Sequence, residues 1–267
     1  MPLIFATWNI NSVRLRLPMV LDFLASHKPD VLCLQEIKCT NDQFPAADFV
    51  AAGYPHLAVN GQKGYHGVAI VSRFPLTNID ARVFCNIEES RHIQAQLNFG
   101  RGPINVHNFY IPAGGDEPNP KTNPKFRHKL DFLAELHDWF DAPAFDAGQL
   151  ITGDFNVAPH ENDVWSHKQL LKVVSHTPVE TQALDILRER RNWVDLVRKH
   201  ISYDEKIYSW WSYRSKDWSA SDRGRRLDHI WSTKDIAAHS GGADVIRAAR
   251  GWSEKPSDHV PVIARFS

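Results

Sequence analysis

Four times in this chain, a short motif bearing a carboxylate, an amide or a histidine sits at one end of a strand-like run. Asp30-Val31-Leu32-Cys33-Leu34 leads into Gln35-Glu36, and Leu150-Ile151-Thr152 leads into Gly153-Asp154-Phe155-Asn156. Leu227-Asp228-His229 and Ser257-Asp258-His259 complete the set, the latter just ahead of Val260-Pro261-Val262-Ile263. Burying an unpaired carboxylate costs as much as a folded domain has to spare. Acids placed repeatedly at strand ends therefore predict one shared polar pocket at the rim of a sheet. Carboxylates, an amide and a histidine meeting there suit a hard divalent cation and phosphoryl chemistry.

The spread of these motifs also constrains the domain organisation. They extend from Asn9 to His259, so a cut anywhere in the middle of the 267 residues would divide the site. No repeat, low-complexity tract or linker interrupts the chain, and one catalytic domain over 1–267 is expected. Strand-like runs fall at 3–8, 31–35, 67–72, 92–98, 104–110, 150–154, 207–213, 227–232 and 260–266. Runs that are apolar throughout, such as Val68-Ala69-Ile70-Val71, suit central strands covered on both faces. Helical periodicity appears at 16–27, 126–140 and 180–200, and glycine and proline mark loops at 112–124, 159–166 and 215–224.

Composition excludes several classes. Basic and acidic side chains balance at 31 each, so any polyanion site must arise from local arrangement. Cys33, Cys39 and Cys85 are too few and too irregularly spaced for a disulfide framework or a zinc site. The N-terminus lacks a secretory pattern, and no run approaches the ~20 apolar residues of a membrane span. A cytoplasmic protein without membrane contact is expected.

Within the pocket, Glu36 and Asp258 would satisfy magnesium, which takes one or two carboxylates plus water and substrate phosphate. Asn9 or Asn11 would orient a ligand or contact phosphate. Asp154 would lie beside the attacking or leaving oxygen, with Asn156 donating to the non-bridging oxygens as charge builds on them. Asp228 holding one ring nitrogen of His259 would fix its tautomer and raise its basicity. Each motif alone has a plainer reading: a solvated strand-end acid, an Asx turn, a structural histidine, a half-buried tyrosine at Tyr110. It is their conjunction that points to catalysis.

Taken in order, seven stretches resemble the exonuclease III family of apurinic/apyrimidinic endonucleases, within the larger endonuclease/exonuclease/phosphatase superfamily. They are Trp8-Asn9-Ile10-Asn11, Leu34-Gln35-Glu36-Ile37-Lys38, Gly64-Tyr65-His66-Gly67-Val68-Ala69, Phe109-Tyr110-Ile111-Pro112, Gly153-Asp154-Phe155-Asn156, Arg226-Leu227-Asp228-His229 and Ser257-Asp258-His259-Val260-Pro261. The resemblance covers residues 3 to 266. It implies a four-layered α/β sandwich, with two packed mixed β-sheets flanked by helices in the DNase I manner. It makes Glu36 the principal metal ligand with Asp258 beside the ion, and puts Asn9, Asn11, Asp154, Asn156 and His259 in the surrounding shell. Asp154 takes the proton-transfer role, Asn156 stabilises the transition state, Tyr110 is a catalytic phenol and Asp228 pairs with His259. Whether Asp154 activates water or protonates the leaving oxygen is left open by the residues. The implied activity is Mg2+-dependent (Mn2+ as a substitute) cleavage of DNA 5′ to abasic sites, leaving a 3′-hydroxyl. Exonuclease action and removal of blocked 3′ ends accompany it, on double-stranded DNA and by a monomer.

The superfamily core also serves small-molecule and lipid phosphoesters, the alternative reading. DNA is favoured by the segment Tyr208-Ser209-Trp210-Trp211-Ser212-Tyr213-Arg214, then Lys216, Trp218 and Arg223 to Leu227. Residues 214–226 hold five basic and two acidic side chains, and aromatics interleaved with arginine suit bases, sugars and phosphates. In the family, Trp210 and Leu227 match the wall of the damaged-sugar pocket, and strand alternation sends only one of Trp210 and Trp211 to the cleft. The basic stretch 121–129, with Lys125, matches a DNA-contacting loop; Arg14, Arg91, Arg214 and Arg225 are further substrate contacts. Two departures stand out: Ala113 where an amide is frequent, and Arg225 where some members carry an aromatic wedge.

Overall fold

A computed structural model describes residues 3–98, 102–145, 147–215, 217–253 and 255–267. Its strands are β1 (Leu3–Asn9), β2 (Val31–Gln35), β3 (His56–Asn60), β4 (Val68–Ser72), β5 (Thr77–Asp80), β6 (His92–Asn98), β7 (Pro103–Tyr110), β8 (Gln149–Asp154), β9 (Val194–Asp195), β10 (Asp228–Ser232), β11 (Ser240–Val245) and β12 (Val262–Phe266). They form two six-stranded sheets, ordered β11-β12-β1-β2-β4-β3 and β5-β6-β7-β8-β10-β9. Both are mixed: β1 runs parallel to β2 and β7 parallel to β8, while the other pairs are antiparallel.

Strand alternation explains the layers. Successive side chains point to opposite faces, so β1 turns Leu3 and Phe5 one way and Ala6 and Trp8 the other. Leu3 and Phe5 join Val31, Cys33 and Ile70 of their own sheet and Ile93, Val106, Leu150 and Ile230 of the second, making the core between the sheets. Trp8, Leu32 and Leu34 instead face Val20, Phe23 and Leu24 of the helix Leu17–His27. On the far side, Phe109, Ile151 and Trp231 pack against Phe132, Leu133 and Leu136 of the helix Pro124–Phe140 and Leu184 and Leu187 of Pro178–Arg190. The order helix, sheet, sheet, helix is the four-layered sandwich expected.

Two expected elements differ. Residues 207–213 form no strand; Trp210 makes only isolated bridges, to Arg225 and to His259. The expected helix 180–200 is broken. It stops at Arg190, Asn192 takes a left-handed backbone (φ 52°), and the chain enters β9. A new helix, Leu196–His200, then starts because Asp195 accepts from the backbone N–H groups of Val197 and Arg198, both at 3.1 Å. The four strands outside the expected runs, β3, β5, β9 and β11, are the four sheet edges.

Candidate active site

Register brings the acidic motifs together. On the second sheet Tyr110 pairs with Asp154, and Asp154 pairs with Asp228, so three strand ends stand side by side. On the first sheet Asn9 pairs with Gln35, which places Glu36 just beyond. Gly153 permits the close approach of β8 to β7: its φ is 129°, and a Cβ there would lie 2.0 Å from the Phe109 carbonyl oxygen. Glu36, Asn11 and Asn156 also adopt left-handed φ values of 49°, 49° and 54°. Such conformations persist only where surrounding bonds enforce them. At Glu36, the carbonyl accepts from the Ser12 N–H at 2.7 Å, and the next residue donates to Gly67 at 3.1 Å.

Asn9 ties the two sheets. Its Nδ2 donates to Glu36 Oε1 at 2.9 Å and to Asp154 Oδ2 at 2.8 Å. Lys38 stands 2.8 Å from the other Glu36 oxygen and 2.5 Å from Asn11 Oδ1. Burial would raise the Glu36 pKa, but the Lys38 ammonium and the Asn9 amide hold it below the usual value, so it is a carboxylate at neutral pH. Asp258 accepts from Asn11 Nδ2 at 3.0 Å on one oxygen and from Trp210 Nε1 at 2.9 Å on the other.

On the second sheet, Asp228 Oδ2 lies 2.8 Å from His259 Nδ1 and accepts from Ser209 Oγ at 2.6 Å. His259 Nε2 is 3.6 Å from Asp154. Burial disfavours an imidazolium, yet the Asp228 and Asp154 carboxylates outweigh it and raise His259 to about 10. Asp154 is pushed up to about 7 by burial, with Asp228 and Glu36 adding to it against the pull of His259 and the Asn9 amide. Tyr110 is raised well above the ordinary phenol value by burial and by the Glu36 and Asp154 carboxylates, so it stays protonated. Asn156 donates its backbone N–H to Asp154 Oδ1 and its Nδ2 to the Ile111 carbonyl, both at 2.9 Å. Asp154, Asp228 and His259 offer ligand atoms within 4.8 Å of one another, the one acid–histidine group of this kind among the described residues.

These groups open into a cleft of about 880 Å³ whose lining includes Glu36, Tyr110, Asp154, Asn156, Asp258 and His259. Trp210, Leu227, Arg214, Arg225 and Ala113 line it as well. The expected substrate contacts fall into two groups. The charged heads of Arg14, Lys125 and Arg214 are exposed and make no hydrogen bond or ion pair among the described residues. Arg91 is buried, pairs with Glu89, and lies over the Tyr110 ring at 4.9 Å. Arg225 donates to the Val174 carbonyl at 2.9 Å and to Ser175 Oγ at 2.8 Å. Lys216 lies outside the described residues. Lys129, at the end of the basic stretch 121–129, is fully buried against Glu180 and donates to the Asn156 carbonyl at 2.7 Å. Helical spacing placed it on the same face as Phe126, Leu133 and Leu136. Lys38 and Ser209 were missed as site residues, although Lys38 stands only two positions after Glu36.

Hard oxygen donors, an acid–histidine pair and a protonated phenol around an open cleft define a phosphoester-cleaving enzyme on a two-sheet sandwich. The chain belongs to the Endonuclease/Exonuclease/phosphatase family, whose model matches residues 6–259. It is 31% identical to exodeoxyribonuclease III of Haemophilus influenzae over 281 residues, covering 98% of this chain and 99% of that one. Among solved structures it resembles an AP endonuclease from Archaeoglobus fulgidus (TM-score 0.91, 34% identity, 99% of each chain covered). It is similarly close to a 3′ phosphatase from Neisseria bound to a product DNA hairpin (TM-score 0.90, 31% identity, 99% of each chain covered). No described helix is long and apolar enough to cross a membrane.

Proposed function

We propose that this chain is a hydrolase of DNA repair, an exodeoxyribonuclease III type enzyme formed as one catalytic domain over 1–267. It cuts the phosphodiester 5′ to abasic sites in duplex DNA, leaving a 3′-hydroxyl, and also trims and cleans 3′ ends as a cytoplasmic monomer. The observation that carries this reading is the Asn9 bridge. One amide joins Glu36 of the first sheet to Asp154 of the second, which lies beside the His259–Asp228 pair that itself spans the two sheets. The full-length likeness to exodeoxyribonuclease III and AP endonuclease supports DNA as the substrate.

The residues fit a divalent cation. Glu36 presents a carboxylate to the cleft, and Asp154, Asn156 and Asp258, with Asn9 behind Glu36, surround it with oxygen donors, the hard set that magnesium or manganese takes, while protonated His259 is left to face the phosphate. When bound, the ion supplies positive charge to the phosphate and lowers the pKa of bound water. The chain does the rest. His259, held as an imidazolium by Asp228, donates to a non-bridging oxygen. Asp154, raised into the neutral range, takes the proton of the attacking water. The bond from phosphorus to the 3′-oxygen breaks, that oxygen takes a proton from solvent water in the open cleft to become the 3′-hydroxyl, and Asp154 returns its own proton to solvent. Tyr110 and Asn156 donate to the phosphate as charge gathers on it. Lys38 and Asn11 keep Glu36 and Asp258 oriented. Trp210 and Leu227 receive the base-free sugar, and Arg14, Arg91, Lys125, Arg214 and Arg225 serve the DNA backbone.

The deciding experiment uses a duplex with one stable abasic-site analogue, with magnesium and with chelator, and reads the product ends. Metal-dependent cutting 5′ to the site with a 3′-hydroxyl is expected. A folded protein that leaves this duplex intact would refute abasic-site incision.

A further inference from the structure

Arginine and tryptophan alternate along one wall of the cleft. Leu227, Arg225 and Arg223 line it at every second position, while Arg226 between them is buried in an ion-pair network with Asp163 and Asp195. Arg225 and Arg223 each lie on an indole. Arg225 is 5.2 Å from the Trp210 ring centroid and Arg223 is 4.7 Å from that of Trp165. The rungs are built rather than loose. Arg225 bridges both Trp210 and Val164, and the Trp165 N–H donates to the Gly224 carbonyl at 3.1 Å.

The two rungs are not equivalent. Trp210 is tied to the reaction centre through Asp258, and Leu227 immediately precedes Asp228, so this end meets the sugar next to the scissile phosphate. Trp165 and Arg223 stand further along the wall. The Arg223 guanidinium makes no hydrogen bond or ion pair among the described residues, and its contact there is with the face of the Trp165 indole. A guanidinium plane resting on an aromatic ring is a stacking platform for any base, because every base has a π-face. The cleft volume of about 880 Å³ is near the upper end of small-ligand sites, ~300–1,000 Å³, and exceeds what a base-free sugar needs.

From this juxtaposition we infer that Trp165 and Arg223 form a nucleobase-stacking subsite. It takes the unpaired base of a 3′-terminal nucleotide whose sugar lies against Trp210 and Leu227. The inference rests on the nuclease reading above. An abasic end leaves the subsite empty, whereas an ordinary 3′ nucleotide fills it, so the subsite serves the exonucleolytic mode and is idle during abasic cleavage.

The test compares two recessed duplex ends that differ only in the base: a 3′-terminal nucleotide and a 3′-terminal abasic analogue. Their removal is timed for wild type, Arg223→Gln and Trp165→Leu. Both variants should remove the nucleotide about tenfold more slowly, the effect of one lost stacked base, and the abasic analogue within about twofold of wild type. Equal losses on both ends, or none on either, would overturn the subsite. Trp165 is partly packed in the core, so if Trp165→Leu does not fold, the exposed Arg223→Gln decides alone. Wild type inactive on both ends would instead overturn the nuclease reading and the subsite with it.

Discussion

Asn9 Nδ2 lies 2.8 Å from Asp154 Oδ2, across the seam between the two sheets. The bond favours the ionised carboxylate and so restrains the rise in Asp154 pKa that burial causes. Asn9→Ala should therefore push Asp154 further up and move the acid limb of the kcat/KM profile to higher pH. Rate at neutral pH should fall by about 10²-fold or more, since a positioned proton acceptor contributes ~10²–10⁴. A pH–rate profile on abasic duplex measures both, and an unmoved acid limb would remove Asp154 from the proton step.

Asp228 raises the His259 pKa, second only to the opposing effect of burial. Asp228→Asn should lower it, so the alkaline limb of the rate profile should shift down in pH. His259→Ala should lose roughly 10²–10⁴ in rate with its circular dichroism unchanged. Near-wild-type incision by His259→Ala would show that the pair is structural. Stability follows the same linkage. With a folded pKa of about 10, the His259 contribution is present below the unfolded value and lost as pH rises through about 10.

At low pH a different set of histidines governs stability. His92 accepts from the Arg82 N–H at 3.1 Å and shares a hydrogen bond with His107, which reaches Gln149 at 3.2 Å. Burial lowers His107 and His229 to about 4, so both are neutral in the fold. The unfolded chain takes up these protons first, and stability should fall as pH drops from ~6.5 towards 4. Urea unfolding at pH 7, 6 and 5 should show that decline, with a smaller slope in His107→Gln. Flat stability over that range would contradict the neutral, buried assignment.

The Lys129–Glu180 pair is fully buried and supports both the Asn156 carbonyl and, through Glu180, the backbone N–H groups of Ser175 and Thr177. Removing one partner leaves a buried charge. Glu180→Ala should cost ~3–5 kcal/mol in urea unfolding, and Lys129→Met a similar amount. Their combination should cost less than the sum of the two; strict additivity would argue against coupling.

Salt should separate the basic side chains. Arg214 and Lys125 have no partner for their charge among the described residues, so replacing either with alanine should reduce the slope of log affinity against log salt by about one. Arg91 is neutralised by Glu89 and braces Tyr110, and Arg91→Ala should act mainly on kcat. Direct titration of labelled duplex across a salt series distinguishes the two outcomes.

Much of this was legible in the chain. Apolar central strands announce themselves because they are covered on both faces, and eight of the nine expected runs overlap strands. The edges were not legible for the converse reason. β5 is exposed along its whole length and β11 begins Ser240-Gly241-Gly242, so neither carries a core-facing pattern. The run 207–213 read as a strand from its aromatics, but Trp210 and Trp211 are held by side-chain bonds to Asp258 and Asp222. Lys38 escaped notice because its role depends on a left-handed turn at Glu36, which residue type does not foretell. Lys129 shows how charge misleads when helical periodicity is not applied to it.

Neither sheet holds a complete set of the proposed catalytic groups. The first brings Asn9, Glu36, Asp258 and His259; the second brings Tyr110, Asp154 and Asp228. An enzyme that breaks DNA strands is hazardous if it misfires, and here the fold itself acts as an interlock. A nascent chain, a proteolytic half or a molecule whose sheets have parted carries fragments of the machinery that never meet. For this protein, retained cutting activity certifies that the sandwich is closed.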